Sequence, residues 1–316
     1  MRTRILCRSL LGLSAFLSLS CGTSHRAASV PEHPVDRGCL TLLPDSLFAG
    51  AKGEVGVAVL TSEGDTLVGG ADARFPLMSV FKLHEAIAVA HVLDTRGQDL
   101  DTVLHIRRDE LNPHTWSPML KDYPAGDLDM SVGELMAYML IHSDNNASNL
   151  LFDRIVSVSG TDSLVRALTP ISDFRLRHTE AEMLRDHDLA YGNWSSPLAC
   201  AVLIDRVFTD SLVTGPKQGE IRRFLGECKS APGRIAAALD GEPGTRMYHR
   251  TGSGFTNDRG EVAAVNDVAW VSLPDGRHYA LAILVKDYPG AQEEADSMIA
   301  AIAGRLHRQL AAHPSR

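Results

Sequence analysis

The chain of 316 residues is 44% hydrophobic and 22% charged, enough apolar content for a substantial core, which excludes a disordered or fibrous protein. Its net charge of −8 at pH 7, with no basic run, argues against nucleic acid as a partner. Neither a Cys-x-x-Cys nor a His-x-x-x-His spacing occurs, so no metal and no cofactor is expected.

In chain order, Arg2, Arg4 and Arg8 precede SLLGLSAFLSLS, a short apolar run ending in small residues. Residues 1–20 therefore read as a secretory signal peptide, too short to be a membrane-spanning segment. Its removal takes away three arginines and moves the net charge from −8 to −11. Cys21, directly after LSLS, is a candidate lipid anchor. The expectation is a periplasmic protein, free or lipoprotein, and a monomer. Residues 21–37, mixing Ser, Pro, His and charge, read as a linker, and 38–312 as the folded domain. Cys39, Cys200 and Cys228 remain in the mature chain, open to one disulfide such as Cys200 to Cys228 or to three separate thiols.

EVGVAVLTSEGDTLVGG (54–70) reads as a β-hairpin around a Glu-Gly turn, and a helix is expected over 79–94. Residues 132–142 and 146–156 are amphipathic helices separated by a polar break at Ser143–Asn145. Residues 172–196 carry charge with little periodicity and read as a long loop, in which His187, between Asp186 and Asp188, reads as solvated. Helices resume over 196–208 and again toward Cys228. Strands are expected over 246–254, 261–273 and 278–287, with a Pro274-Asp275-Gly276 turn, and a last helix over 291–310. The fold class is α+β: an antiparallel sheet built from both termini and flanked by helices, with an inserted all-helical lobe. The sheet lobe would comprise 38–95 and 241–312, and the helical lobe 96–240, with a cleft between them.

Three short stretches carry chemistry. Ser79 and Lys82, three apart on a helix, share a face, and a lysine in an apolar setting has a lowered pKa suited to activating a serine. In HSDNNAS, Ser143, Asp144 and Asn145 interrupt two apolar helices and can face a cleft, although helix capping alone would also account for them. HRTGSG places a cation, two hydroxyls and glycines on a strand, a combination suited to a carboxylate.

Ser-x-x-Lys, then Ser-Asp-Asn, then a basic-Thr-Gly triplet is the pattern of class A β-lactamases and penicillin-binding proteins. With SVFKLH, TEAEM, YGNW and the LPDG turn, the chain resembles a class A serine β-lactamase over nearly all of 38–312, in the branch of the PER and VEB enzymes. The resemblance implies the two-lobed serine β-lactamase/D,D-peptidase fold. It also implies hydrolysis of the β-lactam ring of penicillins and cephalosporins through an acyl-serine, and hence antibiotic resistance. Ser79 would be the nucleophile, and Lys82 would take or relay its proton. Ser143 would pass a proton to the leaving nitrogen, and Glu180 would activate the deacylating water. Asn145 would hold the substrate's acyl-side amide and Trp116 would wall the cleft mouth. Arg250, Thr251, Gly252 and Ser253 would form the strand that binds the substrate carboxylate. The backbone N–H groups of Ser79 and Ser253 would form the oxyanion hole.

Two departures stand out. Leu184 occupies the place of an asparagine that usually positions the hydrolytic water, and Arg250 replaces the usual lysine of the triplet. Arginine keeps the charge and binds carboxylates bidentately. Leu184 keeps open the reading of a penicillin-binding sensor that stays acylated, and a D-Ala-D-Ala carboxypeptidase would use the same serine. Glu180 counts against both.

Overall fold

The computed structural model describes residues 40–312, so the expected leader 1–20, the linker 21–37 and Cys39 lie outside the described residues. The chain opens with β1 (Leu40–Leu42), β2 (Glu54–Thr61), β3 (Thr66–Gly70) and β4 (Phe75–Pro76). Then come α1 (Lys82–Arg96), β5 (Val103–Ile106), α2 (Pro118–Asp122), β6 (Leu128–Ser131), α3 (Val132–Ile141), α4 (Asn145–Arg154) and α5 (Val158–Leu168). The middle continues through β7 (Phe174–Arg175), α6 (Glu180–Arg185), β8 (Trp194–Ser195), α7 (Pro197–Thr209), α8 (Gly215–Gly226) and α9 (Ile235–Leu239). It ends with β9 (Arg246–Ser253), β10 (Val262–Ser272), β11 (His278–Tyr288) and α10 (Gln292–Ala312).

The main sheet runs β1-β3-β2-β11-β10-β9, so strands from the two ends of the chain meet at the β2–β11 pair. The expected hairpin and the three late strands are all present, and the sheet is antiparallel except for β1, which lies parallel to β3. Both faces of β10 and β11 are covered, which is why their sequences are almost continuously apolar. The alternation survives in residue size. Val265, Ala269, Ile283 and Val285 pack on the side of α10, whereas Ala264, Val268, Ala280 and Ala282 face the helices of the middle segment. The small side chains let α7 and the turn before α1 lie close to the sheet.

Helix α1 is buried on nearly every side from Lys82 to Ala90, wrapped by α3, α4, α5 and α8. The expected helix over 79–94 begins differently: Met78–Phe81 form a 3-10 turn and the α-helix proper starts at Lys82. The segment 172–196 is not a bare loop. It holds β7, α6, a 3-10 turn at His187–Gly192 and β8. The order comes from capping, because Thr179 accepts from the Glu182 backbone N–H while Glu182 Oε2 accepts from Thr179 N at 2.8 Å. Buried Asn193 closes the segment, accepting from the backbone of Arg177 and His178 and donating to His178 O. Cys200 and Cys228, the pair open to a disulfide, are both free thiols. Among the described residues, no helix is long and apolar enough to cross a membrane.

Candidate active site

Ser79 sits on a strained turn. Met78, directly before it, has φ of +45°, a left-handed conformation costly for a residue with a long side chain. Such a conformation persists only where its surroundings impose it. Here Asn266, buried in the middle of β10, donates to the carbonyls of Pro76 (2.7 Å) and Leu77 (3.2 Å). Leu77 N in turn donates to Asn193 O at 2.8 Å. On the sheet side Gly252 presses against the turn: a Cβ there would lie 2.4 Å from Leu77 O and 3.2 Å from Val80 N. The glycine of the Arg-Thr-Gly triplet is therefore required by close approach of two backbones.

Around Ser79 the polar groups form a connected chain. Ser79 Oγ donates to Glu180 Oε1 at 3.1 Å, and Lys82 Nζ lies 2.9 Å from the same oxygen. The expected contact of Lys82 with the Ser79 hydroxyl is replaced by one through Glu180, with serine and lysine sharing one carboxylate oxygen. Lys82 also donates to Asn145 Oδ1 (2.6 Å) and to the backbone carbonyl of Ser143 (3.0 Å). Fully buried, its pKa is driven down by desolvation, partly offset by the Glu180 charge and lowered further by Arg250. Glu180 is delivered by the first turn of α6, and its neighbour Ala181 donates its N–H to Asn149 Oδ1 at 3.1 Å. Leu184 and Met183, from the same short helix, line the cleft beside it.

The Ser-Asp-Asn stretch proves to be both a cap and a cleft wall. Asp144 is the N-cap of α4, accepting from Ala147 N at 2.9 Å, and it also accepts from Met119 N and Ser117 Oγ. That fixes the flanking residues. Ser143, at φ of +62°, and Asn145 face the cleft, and Asn145 Nδ2 reaches Thr115 Oγ1 at 2.9 Å. Arg250, fully buried on β9, donates from Nη2 to Ser143 Oγ at 2.7 Å, so the Arg-for-Lys departure still engages Ser143.

Thr251, Ser253, Ser143 and Trp116 line a cleft of about 690 Å³ together with Ser79 and Glu180. That volume suits a small organic molecule. Trp116 is exposed at its mouth, anchored by Nε1 on His142 O at 2.9 Å. His187 is exposed, as read from the sequence, and stacks on Phe255 with ring centroids 4.2 Å apart at the opposite wall of the cleft.

Several supporting residues escaped sequence reasoning. Arg234, fully buried, donates to Ser253 Oγ (2.6 Å), Gly252 O (2.9 Å) and Asn266 O (2.8 Å), and pairs with Asp296. Ser230 Oγ lies 2.6 Å from Thr251 Oγ1 and accepts from Arg250 at 3.3 Å. Glu85, one turn after Lys82, is buried and bonded to Ser148 Oγ at 2.6 Å. Burial raises its carboxyl well above the ordinary range. The available signal was a polar residue inside an apolar run, as Asn266 is in EVAAVNDVAW and Glu85 in KLHEAIAV.

A model of the "Beta-lactamase enzyme family" matches residues 44–310. A β-lactamase of Phocaeicola vulgatus is 42% identical over 287 residues, covering 90% of this chain and 89% of the relative. The extended-spectrum β-lactamase PER-1 of Pseudomonas aeruginosa is 30% identical, covering 82% of this chain and 83% of its own. Among solved structures, a class A β-lactamase of Bacteroides cellulosilyticus superposes with a TM-score of 0.80 at 28% identity, covering 85% of this chain and 96% of that one.

Proposed function

The chain belongs to the β-lactamase enzyme family as a class A enzyme that hydrolyses β-lactams and confers resistance to them, and from that premise we propose how its residues perform the reaction. Ser79 attacks the lactam carbonyl and becomes acylated. Its proton leaves toward Glu180 Oε1, which it already touches, while Lys82 on the same oxygen stabilises the carboxylate and can exchange the proton. The oxyanion is received by the backbone N–H groups of Ser79 and Ser253, each such donor being worth roughly 3–4 kcal/mol. Ser143 protonates the leaving nitrogen. Because Ser143 Oγ accepts from Arg250, its own hydrogen is free to point at the substrate. Arg250, Thr251 and Ser253 bind the substrate carboxylate, Gly252 lets their strand lie against the Ser79 turn, Asn145 holds the acyl-side amide and Trp116 covers the cleft mouth. Glu180 then activates water to release the product. Leu184 cannot orient that water by hydrogen bonding, so the task falls to Glu180 and Ser79.

The observation that carries this reading is the single oxygen of Glu180 shared by Ser79 and Lys82. It favours turnover over a sensor or a D-Ala-D-Ala carboxypeptidase, since a carboxylate on the nucleophile is already placed to activate water for hydrolysis of the acyl-enzyme. With excess chromogenic cephalosporin, the unmutated protein should turn over continuously and Ser79→Ala should be inactive. Glu180→Gln should slow acylation and leave a stoichiometric burst with little subsequent turnover. A burst without turnover from the unmutated protein would transfer the assignment to the sensor or carboxypeptidase reading.

The surroundings follow the same proposal. Residues 1–20 export the enzyme to the periplasm, 21–37 tether the domain 38–312, and Cys21 is the candidate lipid anchor. The enzyme acts as a monomer on penicillin and cephalosporin substrates. Its sheet lobe comprises 38–95 and 241–312, and its helical lobe 96–240.

A further inference from the structure

From Glu180 to Gly192 the chain forms one bonded unit. Asp186 closes α6, its N–H donating to Glu182 O at 3.1 Å, and its Oδ1 accepts from Asp188 N at 3.1 Å to begin the 3-10 turn His187–Gly192. A displacement at the far end of this unit is therefore felt at Glu180. At that end Tyr191 reaches across to the sheet. Its hydroxyl donates to Asp287 Oδ1 at 2.5 Å and accepts from Asn257 Nδ2 at 3.3 Å. Asp287 is braced in turn by Arg259, whose Nη2 lies 3.1 Å from Oδ2, and by Asn257 Nδ2 at 3.3 Å from Oδ1. Asn257 is fixed by the turn between β9 and β10, its Oδ1 accepting from the backbone of Arg259 and Glu261, each at 3.0 Å.

A second, independent observation is backbone strain. Asp287 has φ of +51°, a left-handed residue inside β11 between Lys286, which pairs with Ala264, and Tyr288, which pairs with Val262. A side-chain-bearing residue keeps such a conformation only where its surroundings impose it, and here Tyr191 and Arg259 hold its carboxylate from two sides. The same turn between β9 and β10 carries Phe255, on which His187 stacks, so the Glu180 unit meets it twice.

The chemistry says when this brace matters. In the free enzyme the Ser79 hydroxyl is one tether of the Glu180 carboxylate. Acylation turns that hydroxyl into an ester oxygen with no hydrogen to donate. Glu180 loses the bond at the very stage at which it must activate water, and Leu184 has no polar group to replace it. Besides the closure by Asn193, the unit then keeps Lys82, the Ala181 N–H on Asn149 Oδ1 and the Tyr191 contact. We propose that Tyr191, seated on Asp287, Asn257 and Arg259, is a positioning residue for deacylation, holding Glu180 in place once the serine tether has gone. In that step water adds to the ester carbonyl as Glu180 takes its proton, and the bond to Ser79 breaks as that proton passes to the serine oxygen. Acylation depends on the brace much less, because Ser79 itself then holds the carboxylate.

This reading rests on Glu180 as the base for deacylation, so Glu180→Gln is measured alongside. Ring opening is followed by stopped-flow absorbance with a chromogenic cephalosporin and the full-length enzyme in excess, and deacylation by intact mass as the acyl adduct decays. In Tyr191→Phe, which keeps the ring, adduct decay should slow at least about tenfold while ring opening stays within about twofold of the parent. Asp287→Ala should do the same. Asp287→Asn keeps an acceptor for Tyr191 and tolerates the left-handed backbone, so it should recover most of the rate. A merely structural role would slow both steps together. Equal slowing of both steps in Tyr191→Phe, or unchanged adduct decay, overturns the proposal. Should that variant fail to fold, Arg259→Ala, which removes a largely exposed side chain, takes its place with the same two outcomes. Rapid adduct decay in Glu180→Gln would remove the assignment of Glu180 and the brace with it. Slow decay there beside unchanged decay in Tyr191→Phe would remove the brace alone.

Discussion

Gly252→Ala tests the contact on which the geometry of the Ser79 turn depends. The added Cβ would stand 2.4 Å from Leu77 O, 3.1 Å from Met78 Cβ and 3.2 Å from Val80 N. A carbon and an oxygen need about 3.2 Å, so β9 and the turn carrying Ser79 must separate by nearly 1 Å. The first obstacle is backbone, and the turn is held from behind by Asn266, so neither partner yields cheaply. Overpacking of this kind costs about 1–3 kcal/mol. The larger effect falls on chemistry, since a 1 Å misplacement costs about 100-fold in rate. We expect kcat/KM to fall about 100-fold, with a thermal midpoint lower by several degrees. Gly219→Ala is the control: it lies inside α8, a Cβ there meets nothing within 4 Å, and alanine in a helix should stabilise by about 0.5–1 kcal/mol. Steady-state kinetics and thermal unfolding decide the matter. Wild-type kcat/KM in Gly252→Ala would refute the argument that this strand fixes the Ser79 turn.

Two further outcomes follow from buried polar groups. Glu85 holds its proton in the folded chain well above the ordinary 4.5 at which the unfolded chain loses it, so stability should fall as pH rises from about 4.5 toward the folded value. Glu85→Gln should flatten that slope in denaturant titrations across pH, and an unchanged slope would mean that another group causes it. Asn266→Ala removes the donor to the Pro76 carbonyl and the side-chain acceptor of Val285 N–H, while the Leu77 carbonyl keeps its bond from Val80 N, which should cost about 1–3 kcal/mol and lower kcat/KM with it. A denaturant midpoint within error of the parent would show that Asn266 does not hold the turn.

The two families of elements were legible to different degrees. The hairpin 54–70 and the strands β9 to β11 announce themselves through apolar runs separated by Glu-Gly and Pro-Asp-Gly turns. The helices α3 and α4 show a polar break whose middle residue, Asp144, is the cap. Segment 172–196 was hidden because its elements are two to six residues long, too short for any periodicity, although Thr-Glu-Ala-Glu did carry a capping box. The helix start was misplaced by three residues because apolar content cannot distinguish a 3-10 turn from an α-turn, and the difference comes from tethers to Asn266 and Gly252 far along the chain.

What the sequence by itself determined is the kind of chemistry. Ser-x-x-Lys, Ser-Asp-Asn, Arg-Thr-Gly and Glu180 name the groups available, because side-chain chemistry is a local property. Only the tertiary structure decided which of them meet. Lys82 reaches Asn145 across 63 positions, Ser79 reaches Glu180 across 101 and Ser143 reaches Arg250 across 107. Those distances are set by a sheet that closes strands from both termini around a buried helix. Contacts so remote in sequence arise from packing, which no local pattern contains.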